Sequence, residues 1–374
     1  MGLFNLDWDD LLAYNTVKVV KIRDARLGIL HLSFMVGIIL YIVVFQIFLQ
    51  KGYLEIETPL GSIRTSLMAP SVYPSDLHYC TNQGGYNSTY AMDCQYWDEN
   101  LVVFPVGEQS SFTATTRVRT YNQVTIGCSF TDPTCRYTNL NETNLYLAGV
   151  ENFTLMIDHT MYAPISQIQK NAVDLSGYIR NQDGDDVTLD DGLNFIGIEG
   201  VPDIITIGTF LQMANIDLDG QSLVNASNSI RYDGVIVMVF ITYSNTFSQN
   251  LNSFKYSYYI QPIEESEFTV IEPIFGSDIT SRYIFKRHGL RILFFQTGTI
   301  GKFEFQSLLL TFVSGMGLLA VSTIVVDQLA IRILPQRKSY SSFKFQVTEG
   351  MQPMKKIITN DKGDDVMYSN IENL

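Results

Sequence analysis

Four hydroxyl residues, Ser307, Thr311, Ser314 and Ser322, lie in or beside a run from Phe305 to Val326 that holds 22 residues and no Asp, Glu, Lys or Arg. On a helix, at about 100° per residue, they fall with Gly315 and Leu318 inside an arc about 100° wide. In hydrocarbon a hydroxyl seeks another helix or water. The stripe therefore reads either as a helix-packing face or as the wall of a water-filled pore in which Leu318 is an apolar, dewetting constriction. Asp327 falls on the other side of that helix, near its end, where a carboxylate is costly unless paired or hydrated. Two spans cannot enclose a pore, so this reading requires a closed ring of three or more subunits.

The elements that carry these residues follow from charge and length. A second uncharged run, Leu27 to Leu49, has 23 residues. At 1.5 Å rise per residue either run crosses a hydrocarbon core of about 30 Å as a helix. The first begins too late, is too long and lacks the small-residue cleavage site of a signal peptide, so it reads as a retained anchor. Lys18, Lys21, Arg23 and Arg26 precede it, and Arg332, Arg337, Lys338 and Lys344 follow the second run, which favours both termini on the cytosolic side. Lys286, Arg287, Arg291 and Lys302 weaken that rule, and the glycosylation acceptors decide the matter: Asn87, Asn141, Asn152 and Asn225 all lie between the runs. The expected order is a cytosolic segment 1–26, a first span 27–49, an extracellular or lumenal domain 50–304, a second span 305–333 and a cytosolic tail 334–374.

The middle domain reads as β-rich: β-branched and aromatic stretches such as Phe112 to Ile126 and Val235 to Tyr243 alternate with turn signals. Cys80, Cys94, Cys128 and Cys135 all sit there, and in an oxidising compartment they form two disulfides by one of three pairings, the sequence-local one being the first choice. Their spacing, with no histidine near, does not suit a metal. Residues 51–304 contain 28 acidic and 14 basic residues, net −14. Such a surface concentrates cations and disfavours nucleic acid. Neither a nucleophile elbow nor a phosphate-cradling glycine loop is present, so no enzyme is expected.

The ends of the chain carry motifs that resemble the P2X family of ATP-gated cation channels. Before the first span stands Tyr14-Asn15-Thr16-Val17-Lys18, similar to that family's Tyr-x-Thr-x-Lys. After the second stands Tyr340-Ser341-Ser342-Phe343-Lys344, similar to its Tyr-x-x-x-Lys. Lys286-Arg287-His288-Gly289-Leu290-Arg291, then Gly298-Thr299-Ile300-Gly301-Lys302-Phe303-Glu304, then Gly315 to Leu319 leading to Asp327, resemble its Lys-x-x-Gly-Ile-Arg, Gly-x-x-Gly-Lys-Phe-Asp and pore-helix sequences.

The resemblance implies a homotrimer, or a heterotrimer with related subunits, in which three second spans surround a pore for cations including calcium. It implies ATP as activating ligand, with no other cofactor, held between subunits by lysines. Lys286 matches one of these. The family's Thr-Lys-x-Lys reads Thr65-Ser66-Leu67-Met68 here, with Arg64 adjacent, and its Asn-Phe-Arg is nearest to Asn252-Ser253-Phe254-Lys255. The expected ligand contacts are thus Lys286, Lys255, Arg64, Ser66 and Met68. With four cysteines against the ten of animal members, the chain resembles a divergent microbial member, at a vacuolar membrane (a contractile vacuole among them) or the plasma membrane. Three alternatives stand beside this reading: a subunit with weak or lost ATP response, a degenerin-type channel, and a two-span binding receptor without a pore.

Overall fold

The computed structural model describes residues 24–181, 184–246, 250–335 and 337–344, with two short strands beyond them, Ile358–Thr359 and Asp365–Val366. Tyr14, Thr16 and Lys18 lie outside the described residues. The chain divides into two units. One is Leu54–Glu304; the other joins Met1–Tyr53 to Phe305–Leu374.

In the first unit the strands that matter are, in chain order, β1 (Leu54–Glu57), β2 (Ile63–Met68), β3 (Ser111–Thr125), β4 (Tyr137–Leu147), β5 (Thr154–Ala163), β6 (Ser176–Arg180), β7 (Asp203–Thr206), β8 (Val235–Ser244), β9 (Lys255–Pro262), β10 (Thr269–Phe275) and β11 (Ser281–Phe303). A ten-stranded sheet runs β4-β3-β11-β8-β9-β6 through its centre, and a six-stranded sheet holds β7-β5-β2. Alternation decides the inner faces. Along β8, Val235, Val237, Val239 and Ile241 are buried and their neighbours are not; along β5, Leu155, Ile157 and Met161 are buried. These residues share one core with Tyr256, Tyr258 and Ile260 of β9, each worth about 1.5–3 kcal/mol on full burial.

One buried carboxylate joins the two sheets. Asp203 accepts from the Tyr256 and Tyr258 hydroxyls, both at 2.7 Å, and from the Gly197 N–H at 3.0 Å, and lies 3.3 Å from His159 Nε2. Burial and this carboxylate push both phenols above their ordinary pKa. They stay protonated and remain donors.

β11 is the spine of the unit. It pairs antiparallel with β3 and β10 in its first half, parallel with β8 in its second, and antiparallel with β1 at its end. Two motif glycines have local reasons. At Gly289, beside the β-bulge at His288, a Cβ would stand 2.0 Å from the Ala114 carbonyl oxygen. At Gly298 φ is +128°, a conformation that side-chain-bearing residues rarely adopt.

The second unit contains α1 (Ala25–Leu40), α2 (Phe305–Arg332) and α3 (Arg337–Lys344). Asp24 caps α1, accepting from Arg26 N at 2.9 Å. From Tyr41 to Leu49 the helix continues in wider π-type turns, so the first helix has 25 residues and α2 has 28, each long and apolar enough to cross a membrane. They pack against one another along their lengths. Leu27 packs on Val326 and Ala330, His31 Nε2 lies 3.3 Å from the Thr323 hydroxyl, and Ile42 fills the space above Gly315. The glycosylation acceptors Asn87, Asn141, Asn152 and Asn225 are all exposed. The cysteines are joined as Cys80–Cys94 and Cys128–Cys135.

Candidate functional site

Residues directly opposite one another in an antiparallel ladder share a sheet face. Lys286 on β11 stands opposite Arg119 on β3, and His288 stands opposite Arg117. One face therefore gathers four nitrogen bases in a domain that is otherwise acidic. Arg117 is buried, donating to the Tyr232 carbonyl and to Asn144 Oδ1 and lying 3.7 Å over the Tyr232 ring. Arg119 is half-buried and ion-paired with Glu142, which raises its pKa. Lys286 is half-buried and, among the described residues, has no ion-pair partner. His288 is pushed down to about 4, first by burial and then by the Arg117 guanidinium, with Lys286 adding to the effect. The Arg117 and Lys286 charges that add to this depression also favour an anion nearby. Arg287, between Lys286 and His288, points to the opposite face. There it is buried, pairs with Glu272 and donates to the Leu101 carbonyl at 2.6 Å.

Arg119 is a further candidate that the motifs do not contain. Its only signal was the one-residue spacing of Arg117 and Arg119 on a strand, and the β3–β11 register was needed to seat it beside Lys286.

The other expected ligand residues lie elsewhere in the chain. Arg64, Ser66 and Met68 share the exposed face of β2 in the smaller sheet. Arg64 and Ser66 line a cleft of about 520 Å³ whose rim carries Glu99 and Glu108. Glu108 is bonded to Ser111 and lies 3.5 Å from Arg291 Nη2. Lys255 opens β9, where it stands opposite Ser244, itself in register with Thr299 on β11. That level is thirteen residues from Lys286, about 43 Å along the strand at ~3.3 Å per residue. A single chain therefore does not bring Lys255 to Lys286, nor is there a contact between Lys286 and Arg64, Ser66 or Met68 among the described residues. Beside Lys286, β11 is paired with β10 on one side and β3 on the other, whereas β9, which carries Lys255, pairs with β8.

On α2 the structure divides the hydroxyl stripe. Thr311 donates to the Gly52 carbonyl at 2.9 Å, Gly315 meets Ile42, and Ser322 is only 3% exposed and bonded to the Leu319 carbonyl. These three belong to the face packed on α1, with Val326 and Ala330 continuing it. Ser307 is half-buried at the start of the helix. Ser314 and Leu318 are exposed, as are Gly317 and Val321. Within one chain, Thr311 and Ser322 thus follow the helix-packing alternative, and Ser314 and Leu318 are left exposed. Asp327 is half-buried and receives a hydrogen bond from the Lys344 ammonium, while the Tyr340 hydroxyl donates to Asp24 at 2.8 Å. The short helix α3 thereby ties the base of α2 to the start of α1. Among the described residues no group of three His, Cys, Asp or Glu side chains forms a metal site.

A family model described as ATP P2X receptor matches residues 12–144 and 228–347. P2X receptor A of Dictyostelium discoideum is 57% identical over 377 residues, covering 99% of this chain and 100% of its own length. P2X receptor B of the same organism is 54% identical over 369 residues, with 99% and 100% covered. Among solved structures, an invertebrate P2X receptor from the Gulf Coast tick, determined in the presence of ATP and Zn2+, superposes with a TM-score of 0.54 at 16% identity, covering 80% of this chain and 99% of that one. A chicken ATP-gated P2X7 receptor channel with the competitive antagonist TNP-ATP gives 0.53 at 16%, with 80% and 98% covered. At such identity these two similarities concern the fold.

Proposed function

The chain belongs to the P2X receptor family, and on that premise we propose that it is a cation channel opened by ATP bound between the subunits of a trimer. The observation that carries this is Lys286: a half-buried cation without an ion-pair partner among the described residues, set beside Arg119 and Arg117. Triphosphate oxygens bind such groups through charge-assisted hydrogen bonds. Lys286 and Arg119 hold the phosphates from one subunit. Arg64 and Ser66, on the exposed face of β2, approach from the neighbour, with Met68 lining the edge of that face. Lys255 takes no part in the Lys286 half of the site.

Two uncharged residues, Ser66 and Met68, stand where the family pattern has lysines. Each missing charge-assisted bond costs about 1.5–3 kcal/mol, so activation requires more ATP than in a site with both lysines. This also supports the second reading, a subunit with weak response to ATP.

Gating runs along β11. The strand that carries Lys286 continues for seventeen residues to Phe303, and α2 begins at Phe305. Closure of the ligand cleft thus displaces a strand covalently continuous with the pore helix. Three copies of α2 line the pore with Ser314, Gly317, Leu318 and Val321, the faces not used by α1, and Leu318 forms the constriction. The net charge of −14 outside the membrane raises cation concentration at the entrance, calcium included. Both termini face the cytosol, and the glycosylated domain faces the exterior or the lumen of a vacuole.

Cysteine substitution tests the pore assignment. Ser314→Cys and Leu318→Cys channels are expected to lose ATP-evoked current to a water-soluble thiol reagent, whereas Thr311→Cys and Ser322→Cys are not. Equal protection of all four would leave a two-span receptor without a conduit as the better account.

A further inference from the structure

Outward from Lys286 the cations continue along the same sheet face. Arg282 lies four residues earlier on β11, about 13 Å along the strand, and stands opposite Gln123 of β3. Its Nε donates to Gln123 Oε1 at 2.8 Å and its guanidinium lies 3.7 Å over the Tyr137 ring. Arg136 is beside it. The two arginines line a cavity of about 440 Å³ with Phe130, Tyr137, Cys135 and Asp132.

The cavity is held in place by the loop that the Cys128–Cys135 disulfide closes. Arg136 Nη1 donates to the Pro133 and Cys135 carbonyls at 2.8 and 2.9 Å, and the Tyr137 hydroxyl donates to the Ile279 carbonyl. Among the described residues neither Arg136 nor Arg282 has an ion-pair partner. The acid that lines the cavity, Asp132, is occupied by the Thr134 N–H and hydroxyl at 2.8 and 2.7 Å. Seven of the 14 cations between residues 51 and 304 lie on β3 and β11, and Arg136 adds to that concentration in a domain that elsewhere is strongly acidic. Guanidinium forks match phosphate oxygens in pairs. The offset of Arg282, about 13 Å along the strand from Lys286, suits a ligand longer than a nucleoside triphosphate.

We infer that this cavity is a second anion subsite, which takes the distal phosphates of a linear inorganic polyphosphate chain whose near end lies at Lys286 and Arg119. The inference rests on the anion-binding reading of Lys286 but is tested separately from it. Purified full-length protein is titrated with ATP, with tripolyphosphate and with a polyphosphate several times longer. The subsite predicts that the long chain binds more tightly than tripolyphosphate. It also predicts that the double variant Arg136→Gln with Arg282→Gln weakens the long chain by about tenfold or more, while ATP and tripolyphosphate change less than about twofold. The charge-keeping pair Arg136→Lys with Arg282→Lys is expected to fall between, and because both pairs of substitutions remove the guanidinium contacts to the loop and Gln123, unchanged ATP and tripolyphosphate binding is the sign that the fold is kept. Equal affinity for long and short chains, or equal loss for the long chain and ATP in the double variant, overturns the subsite. Lys286→Ala is the separate control: retention of ATP binding there defeats the Lys286 reading, whatever the arginine variants do.

Discussion

At the scale of residues, the basic face is a problem in electrostatics with a measurable consequence. His288 is surrounded by Arg117, Lys286, the Asp233 carbonyl and the Thr269 hydroxyl, and its pKa falls from 6.5 to about 4. In the unfolded chain it takes up a proton near 6.5. Between these values the unfolded state binds more protons, so stability falls as pH drops from about 6.5 to about 4 and levels off below. The contribution at stake is about 3 kcal/mol. His288→Gln is expected to flatten the fall in thermal midpoint across that window; an unchanged slope would show that other groups cause it. Lys286 is a candidate legible in the sequence because it stands in a motif whose glycine is dictated by the approach of Ala114. Arg119 is not, because its place beside Lys286 depends on a cross-strand register spanning 167 positions. Nor is the place of Lys255 legible: the local match does not disclose that it lies on β9, which is not the neighbour of β11 in its first half.

At the scale of elements, the two spans and the β-rich domain between them were readable from uncharged length and from β-branched alternation. The facing of α2 was not. Angular arithmetic gives the width of the hydroxyl stripe but not which edge meets α1, and that is settled by Gly315 receiving Ile42 and by Thr311 reaching Gly52. The tail motif has a physical role that its spacing alone did not disclose: Tyr340 and Lys344, four residues apart on α3, reach Asp24 and Asp327 from one helix face. The Lys344–Asp327 pair is about one-third exposed on each side. Breaking it therefore costs no more than about 1 kcal/mol. Lys344→Asp should lower the thermal midpoint, and adding Asp327→Lys should recover at least half of the loss. Strictly additive losses in the double variant would mean that the pair does not couple.

At the scale of the whole molecule, α1 covers one side of α2 and leaves Ser314 and Leu318 for another partner, which in the proposed trimer is the pore axis. Under that proposal the acidic surface, the basic face around Lys286 and the strand joining that face to α2 serve together to convert anion binding into cation flow. The most direct test is the current evoked by ATP, up to millimolar concentration, in membranes that contain the assembled protein, with Lys286→Ala alongside. A cation current is expected in the unaltered chain, and its loss, or a strong rightward shift in ATP dependence, in the variant. A current with the same ATP dependence in both would contradict the proposal.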